Sequence, residues 1–219
     1  RNFSGVIGIE FNITPRNIND NGFVFELSDT TSLVYTGKEH KPTLKTHTFS
    51  TTNLVENVDY SLTYLNNINA GTAKAIITGR NNFVGTKEID FVIAPKALTS
   101  DMLLTISNAY YNGSEQKPNI NLVYNSMSLV EDGDYTISYN TGADFVNANT
   151  ITITITAKSS NYSGSFDSTY TILPRNLRSI ILSSSKSIYN RELHTISFVV
   201  RDMDNLIVEQ NASNLSVKY

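Results

Sequence analysis

The stretch Asn82-Phe83-Val84-Gly85, which leads into Phe91-Val92-Ile93-Ala94-Pro95, decides the fold because the chain carries it three times. The same pattern reads N-F-S-G and F-N-I-T-P before Pro15, and N-Y-S-G and Y-T-I-L-P before Pro174. The three prolines follow one another at intervals of 80 and 79 residues. A fixed period of this size indicates a linear array of similar small repeats.

The period divides the 219 residues into four pieces. They are the C-terminal end of a preceding repeat (1–15), a first complete repeat (16–95), a second complete repeat (96–174) and the N-terminal part of a further repeat (175–219). We expect a window on a longer polypeptide, because an isolated part of a repeat would leave strand edges unpaired. Alternatively, the end pieces complete each other between neighbouring molecules by strand addition. Together, however, the two end pieces lack the segment equivalent to residues 65–79, which contains a whole strand.

Each repeat alternates apolar and polar residues with a period of two, which is typical of half-buried antiparallel strands. The inward positions on three strands are predicted to be Ala73, Ala75, Ile77, Ile151, Ile153 and Ile155; Tyr60, Leu62, Tyr64, Tyr135, Ile137, Tyr139, Leu215, Val217 and Tyr219; and Ile9, Phe11, Ile13, Ile89, Phe91, Ile93, Tyr170 and Ile172. About seven short strands per repeat, with frequent turn signals, predict an all-β chain of tandem immunoglobulin-like β-sandwich repeats. A ubiquitin-like roll with one helix is the alternative, although no convincing helical stretch supports it.

The connections between repeats are short and begin with proline. Pro15-Arg16, Pro95-Lys96 and Pro174-Arg175 each end one repeat and open the next, with no Gly/Ser linker between them. Because proline stiffens the backbone, the array is expected to be extended and only moderately flexible.

Composition excludes several classes of protein. The net charge of −3 and the pI near 5.6, without a Lys/Arg cluster, argue against nucleic acid as a partner. The chain has no cysteine, so disulfides and thiolate metal sites are excluded. No apolar run approaches the roughly 20 residues that a membrane-spanning helix needs.

The recurrent motifs resemble a known family. The pattern Y-x-G … K-P … D-Y-x-x-x-Y … N-A-G-T … G-x-x-N-F-x-G-T … F-x-I-x-P is similar to the tandem immunoglobulin-like repeats of large bacterial cell-surface proteins. The first complete repeat carries every element, whereas the second has Lys158 where Gly79 would fall. Arg191 stands where Gly37 and Gly113 would be in the last piece. The resemblance implies an extracellular, cell-surface protein whose repeats serve as spacers.

Candidate metal ligands are few. His40, His47 and His194 are the only histidines, and we interpret them as exposed strand or loop residues. The segment from Glu131 to Asp134, with Glu56 and Asp59 in the first complete repeat, raises the possibility of calcium, but no D-x-D-x-D loop accompanies it. Asp132-Gly133 is also a common turn pair. The segment from Asp202 to Asp204 is a weaker candidate, and we assign no metal site.

Catalytic and covalent sites are not expected. The sequence has no nucleophile elbow, phosphate loop or H-E-x-x-H motif, so we predict neither an enzyme nor a cofactor. No recurrent Lys/Asn/acid triple points to an isopeptide crosslink. Tyr60, Tyr64, Tyr135 and Tyr139 could suit carbohydrate, but a core position explains them better. Triplets of the form N-x-S/T occur at Asn2, Asn12, Asn112, Asn161, Asn211 and Asn214 and are expected by chance in this composition.

The expected function is structural. We predict a segment of a long bacterial extracellular surface protein that serves as a stalk or as a fibre building block. Its partners would be neighbouring repeats of the same polypeptide or identical subunits. The alternative is an adhesive binding module that contacts a host protein or glycan through loops or sheet edges. Loops that differ between repeats, such as residues 46–53 and 125–128, leave both functions open.

Overall fold

The computed structural model describes residues 2–103, 105–182, 188, 190–191 and 198–208. Within them the chain is built of strands, and the one helical element is a 3-10 turn at Ser100–Met102. The prediction of an all-β chain is confirmed. The strands are β1 Arg16–Asn17, β2 Phe23–Leu27, β3 Leu44–Phe49, β4 Thr52–Asn53, β5 Tyr60–Leu65, β6 Gly71–Gly79, β7 Phe83–Val84, β8 Thr86–Ile93, β9 Lys96–Ala97, β10 Ala109–Tyr110, β11 Val123–Tyr124, β12 Met127–Ser128, β13 Tyr135–Tyr139, β14 Asn149–Ala157, β15 Tyr162–Ser163, β16 Ser165–Leu173, β17 Leu177–Leu182 and β18 Phe198–Asp202.

Contacts group the chain into two compact units. Unit 1 comprises residues 1–104, 121–137 and 155–166, and unit 2 comprises residues 105–120, 138–154 and 167–219. Unit 1 therefore holds the first complete repeat together with parts of the second. The repeat boundaries at residues 95 and 174 remain predictions from the sequence period.

Two three-stranded sheets form the first complete repeat. One has the order β2-β3-β4 and the other β5-β6-β8, and all of these pairings are antiparallel. Phe23 and Phe25 of one sheet share a hydrophobic cluster with Tyr60 and Ile77 of the other. The two sheets are therefore joined by apolar side chains, which is the main source of stability in such a layered arrangement.

The alternation predicted for the central strands is confirmed. Ala73, Ala75 and Ile77 on β6 are fully buried, while the residues between them are partly accessible to solvent. The equivalent strand of the second complete repeat, β14, buries Ile151, Ile153 and Ile155 in the same way within the four-stranded sheet β10-β16-β14-β13. Tyr60, Phe91, Ile93, Tyr135, Tyr170 and Ile172 are also buried as expected. Leu215, Val217 and Tyr219 lie outside the described residues.

The prediction of an inward-facing strand between residues 2 and 15 is wrong for this structure. The segment carries no strand, and Ile9, Phe11 and Ile13 are 87%, 79% and 85% exposed. Their equivalents Phe91 and Ile93 are buried because β8 pairs with β6 along its length. A single extended segment without a neighbouring strand has neither ladder hydrogen bonds nor a core to cover.

A glycine in the first complete repeat is required by a close backbone approach. The amide of Gly79 donates to the carbonyl of Gly85, and a Cβ at Gly79 would lie 2.8 Å from backbone atoms of Phe83 and Val84. In the second complete repeat Ala157 makes the equivalent bond to Gly164. The sequence alignment that placed Lys158 there was wrong, because the connection to β15 contains one more residue and leaves room for a methyl group.

The glycines of the two Y-x-G turns adopt a left-handed backbone conformation. Gly37 and Gly113 have φ angles of 75° and 79°, as their turns predicted. Arg191, which replaces them in the last piece, has a φ of 68°. The left-handed backbone is therefore kept at this one residue, although a residue with a Cβ adopts it at a cost of about 1–2 kcal/mol.

Candidate functional site: the joint around Pro95

Backbone pairing ties the start of the second complete repeat to its own N-Y-S-G turn. Strand β9 runs parallel to β15, with Lys96 opposite Tyr162 and Ala97 opposite Ser163. The amide of Lys96 donates to the carbonyl of Asn161 at 2.9 Å, and that of Leu98 donates to Ser163 at 2.8 Å. The residues that follow Pro95 thus pair directly with residues 161–163.

Tyr35 of the first complete repeat is anchored just before Pro95. Its amide donates to the carbonyl of Ala94 at 2.8 Å, and the amide of Ala94 donates to Leu33 at the same distance. Its ring meets that of Tyr162 edge to face, with 5.4 Å between centroids and 82° between planes. Such a pair stabilises by about 0.5–1.5 kcal/mol beyond the area that it buries. An aromatic contact therefore links the two complete repeats.

The Tyr162 side chain is enclosed in this joint. It is 6% exposed. Burial raises the pKa of the Tyr162 phenol well above its ordinary value, and the neighbouring Tyr35 contributes in the same direction. The neutral form is favoured because an ionised phenolate would lose its hydration.

Asn161 bridges the two complete repeats through its side-chain amide. Its Oδ1 accepts from the amide of Ala70 at 2.9 Å, and its Nδ2 donates to Oδ1 of Asn69 at 3.2 Å. Asn69 and Ala70 belong to the N-A-G-T motif of the first complete repeat. The N-[F/Y]-x-G motif of one repeat is thereby matched to the N-A-G-T motif of the repeat before it.

The hairpin β11–β12 supplies a third set of contacts. The hydroxyl of Tyr124 donates to the carbonyl of Tyr35, and Nδ2 of Asn125 donates to the carbonyl of Thr36, both at 3.3 Å. Gly37 lies against Met127, so that a Cβ at Gly37 would come within 2.6 Å of Sδ. The Tyr-x-Gly turn of one repeat is therefore covered by the hairpin of the next.

A cation recurs directly after each proline. The Arg16 guanidinium lies over the Phe49 ring at 4.8 Å, and Nζ of Lys96 lies over the Tyr124 ring at 5.4 Å. Phe49 and Tyr124 occupy equivalent places, each ending the first strand of a tight hairpin. At such distances an aromatic face attracts a cation. In the C-terminal piece, Arg175 instead contacts Asp202, the last residue of β18.

Taken together, these contacts can hold two repeats in one orientation. Backbone pairing, a ring pair, an amide bridge and a covered turn all lie within unit 1, on both sides of Pro95. The recurrent proline predicts a joint here, but the contacts of Tyr35, Asn161 and Met127 were not predicted from the sequence. The recurrence of Y-x-G, N-A-G-T and N-[F/Y]-x-G was the available signal, since turn motifs shared by repeats of differing surface often mark a shared interface.

His40 and His47 make contacts within the first complete repeat. His47 is partly buried rather than exposed, with Nδ1 2.8 Å from the carbonyl of Leu54 and its ring beside Tyr60. The backbone of His40 pairs with Asn67, and its Nε2 is buried without a hydrogen-bond partner. His194 lies outside the described residues. Across the part of the chain that the structure describes, no group of three His, Asp or Glu side chains could hold a metal ion.

Two of the acidic residues considered for calcium, Asp59 and Asp134, stabilise turns. Oδ2 of Asp134 accepts from the amide of Val130 at 2.9 Å, and Oδ2 of Asp59 accepts from the amide of Val55 at 2.8 Å. Asp132 contacts Nζ of Lys158 at 3.5 Å. The carboxylates of the two repeats thus perform the same local role, that of satisfying a backbone donor in the turn before the next strand.

The tyrosines considered for carbohydrate binding and the asparagines of the N-x-S/T triplets differ in exposure. Tyr60 and Tyr135 are buried, as a core position predicts, whereas Tyr64 and Tyr139 are half-buried. The Tyr64 hydroxyl donates to the carbonyl of Pro42. At the Asn161 triplet the side-chain amide is engaged by Asn69 and Ala70. Asn2, Asn12 and Asn112 are exposed. Asn211 and Asn214 lie outside the described residues.

No family model matches the chain, and no curated sequence is significantly similar to it. Among the described residues, no helix is long and apolar enough to cross a membrane.

Proposed function

We propose that this chain is a structural repeat segment of a long bacterial extracellular surface protein, serving as a stalk or as a fibre building block. The observation that carries the proposal is the packed joint around Pro95. A tether between independently acting modules needs no side-chain contacts across its linker, and a Gly/Ser sequence would suffice. Here the side chains of Tyr162 and Asn161 contact Tyr35, Asn69 and Ala70 of the preceding repeat. A spacer that transmits load requires contacts of this kind between its repeats.

Further support comes from the way in which the joint is built. Several of its contacts, those of Tyr35, Asn69, Ala70, Asn161 and Tyr162, come from turn motifs that recur between the two complete repeats, so a similar joint can be formed more than once along one polypeptide. Stability in such arrays is the sum of repeat and neighbour terms. Tyr162, Asn161 and Tyr124 of the second complete repeat contact residues of the first, and a repeat is therefore stabilised by its neighbour.

Immunogold electron microscopy on cells that make this protein tests the proposal. Antibodies raised against the chain are expected to label the surface of intact cells, on projections or filaments that extend away from the envelope. Labelling that appears only after the cells are opened would overturn the extracellular assignment. Surface labelling confined to the envelope itself, without projecting material, would overturn the stalk or fibre role.

A mechanical measurement tests the load-bearing role directly. In single-molecule pulling of the full chain, we expect Tyr162→Leu to lower the force at which residues 16–174 unfold. The matched control is Tyr110→Leu, since Tyr110 is exposed and lies outside the joint. Equal unfolding forces for Tyr162→Leu and the parent chain would contradict a role for the joint in bearing load.

A further inference from the structure

An open cleft lies beside strand β5 in the first complete repeat. Its volume is about 500 Å³. Its walls include Lys41 from the segment before β3, Leu62 and Tyr64 from β5, and Asn67 from the loop that follows β5. All of these residues belong to unit 1. A cleft of this volume is in the range that holds a small ligand or a side chain of a partner.

The second complete repeat fills the equivalent space with a side chain of its own. Lys41 and Tyr64 correspond to Lys117 and Tyr139 in the repeat period. Nζ of Lys117 lies 5.6 Å from the centre of the Phe145 ring, and the Tyr139 ring meets that ring edge to face with 4.9 Å between centroids. Cations and aromatic rings at such distances attract an aromatic ring. Phe145 is therefore an internal occupant of this place.

A longer loop delivers Phe145. The loop after β13 comprises residues 140–148, whereas the loop after β5 comprises only residues 66–70. The longer loop is fixed beside Phe145 by Asp144, whose Oδ1 accepts from the amide of Val146 at 2.8 Å. The shorter loop has the sequence N-N-I-N-A and offers no aromatic residue. The second complete repeat thus carries a preorganised occupant that the first does not have in its loop.

Asn67 takes the backbone position of Phe145 without supplying a ring. The carbonyl of Asn67 accepts from the amide of His40 at 2.8 Å, as the carbonyl of Phe145 accepts from that of Gln116. The Asn67 side chain is used by the backbone, since its Nδ2 donates to the carbonyl of His40 at 2.9 Å. The first complete repeat therefore keeps the lysine and the tyrosine of the site and has a small, engaged amide where the second has an aromatic ring.

The position of β5 in its sheet favours a polypeptide as the source of a ring. Strand β5 is the outermost strand in the order β5-β6-β8. On its outer side the carbonyl of Tyr60 accepts from the amide of Asn57 at 2.6 Å. Because backbone groups alternate in direction along a strand, those of Leu62 and Tyr64 point to the same outer side. An extended segment can pair with such an edge while one of its side chains enters the cleft.

We propose that the cleft beside β5 binds an aromatic side chain from an extended segment of a partner protein, in the place that Phe145 takes in the second complete repeat. The ring lies between Tyr64 and the ammonium group of Lys41. Glu39 and Glu56 also line the cleft and set two carboxylates against the single charge of Lys41, so basic residues beside the aromatic one favour binding. The inference goes beyond the proposed stalk or fibre role, because it gives one repeat a binding site that the next repeat has closed.

A nuclear magnetic resonance titration of the full, isotope-labelled chain tests the binding. The probe is a peptide of sequence T-K-F-K-T, blocked at both ends. We expect it to shift the amide resonances of Leu62, Tyr64 and Asn67 in a saturable way and to leave that of Tyr139 in place. The matched control is the peptide T-K-A-K-T, which should shift none of them. Equal shifts with the two peptides, or the absence of saturable shifts around the cleft, would overturn the proposal.

A substitution on the surface of the cleft tests the contribution of the cation. Lys41→Ala should weaken binding of the peptide T-K-F-K-T by about two- to five-fold, because the ring loses its contact with the ammonium group. Lys38→Ala is the matched control, since Lys38 is also exposed but does not line the cleft, and it should leave the affinity unchanged. An equal effect of the two substitutions would contradict a ring seated beside Lys41.

Phe145→Ala provides the converse test, because it opens the space between Lys117 and Tyr139. In this variant the peptide T-K-F-K-T should also shift the resonance of Tyr139, as it shifts that of Tyr64 in the parent chain. A folded variant that gains no second site would overturn the equivalence of the two places. If the variant does not fold, the titration of the parent chain with the two peptides still decides. None of these results alters the surface labelling that tests the stalk or fibre role.

Discussion

Arg175 donates from Nη1 to the carboxylate of Asp202 at 2.7 Å, in the place where the other two joints set a cation against an aromatic ring. Asp202 is 4% exposed, and its Oδ1 also accepts from the amides of Asp204 and Leu206. A buried carboxylate needs such partners, because removing one of them leaves a charge uncompensated. The ion pair therefore holds the turn after β18 to the residue that follows Pro174.

Asp202→Asn should destabilise the β17–β18 hairpin. The asparagine keeps an oxygen that can accept from Asp204 and Leu206 but leaves Arg175 without its buried counter-charge. We expect faster hydrogen exchange at Val200 and a lower urea midpoint for the C-terminal piece. Asp204→Asn is the matched control and should have little effect, because the Asp204 side chain is 65% exposed. Equal effects of the two substitutions would contradict the assignment.

The same ion pair predicts an acid dependence. Arg175 holds the pKa of the Asp202 carboxyl below its ordinary value, so that the folded state binds a proton less readily than the unfolded state. The stabilisation is present above the ordinary aspartate pKa of 3.8 and is lost as the pH falls through the lower folded-state value. Hydrogen exchange of the hairpin measured from pH 6 to pH 3 should reveal this loss in the parent chain and a weaker one in Asp202→Asn.

The ring pair of Tyr35 and Tyr162 should be energetically coupled. In a double-mutant cycle with Tyr35→Leu and Tyr162→Leu, we expect a coupling free energy of about 0.5–1.5 kcal/mol by urea unfolding. Phe49→Leu replaces Tyr162→Leu in the control cycle, since the ring neighbours of Phe49 are Phe23 and Phe83. In this control cycle, the losses in unfolding free energy of the two single substitutions should add to within about 0.5 kcal/mol. A coupling as small as that of the control would mean that the ring pair transmits no stability between the repeats.

Gly79→Ala should destabilise the first complete repeat by about 1–3 kcal/mol, because the added methyl group would meet the backbone of Phe83 and Val84 at 2.8 Å. The reverse change, Ala157→Gly, should cost only about 0.5–1 kcal/mol, since it removes a methyl group from a strand without relieving a clash. Chemical denaturation of the full chain measures both. If the two substitutions lowered the unfolding free energy by similar amounts, the longer connection before Tyr162 would not explain why alanine fits at position 157.

Alkaline pH should lower the free energy of unfolding, because several tyrosines are buried. Burial raises the pKa values of Tyr60, Tyr135 and Tyr162, so that the unfolded chain loses these protons more readily than the folded one. The resulting stabilisation is complete below the ordinary phenol pKa of 10.0 and is lost as the pH rises above it. Urea midpoints measured from pH 8 to pH 11 should fall, and Tyr162→Phe should reduce the slope. A slope unchanged by Tyr162→Phe would contradict the assignment for this residue.

The strand pattern was predictable from the sequence because a period of two leaves a direct trace. Ile151, Ile153 and Ile155 alternate with threonine, and this pattern alone identified β14 and its buried face. The turns were equally readable, since Gly37 and Gly113 occupy conformations that disfavour other residues. Repetition strengthened both predictions, because each repeat served as an independent copy.

The contacts of the joint were not predictable in the same way. Tyr162 and Tyr35 lie far apart in sequence, and nothing in the local pattern of either residue distinguishes a ring that packs in its own repeat from one that reaches the next. Phe83, the equivalent of Tyr162, packs against Phe23 and Phe49. The exposed state of Phe11 was missed for a related reason, since alternation predicts which face a strand would bury but not whether a partner strand is present.

The matched motifs of the joint have a genetic consequence. Both complete repeats carry a Y-x-G turn, an N-A turn (N-A-G-T at residues 69–72 and N-A-N-T at 147–150) and an N-[F/Y]-x-G turn. Gain or loss of a whole repeat by recombination between the similar coding segments would therefore bring the same kinds of turn together again, although contacts such as the Arg175–Asp202 ion pair are particular to one joint. Such a gene can change the length of its product in steps of about 80 residues while each remaining domain boundary keeps its kinds of turn.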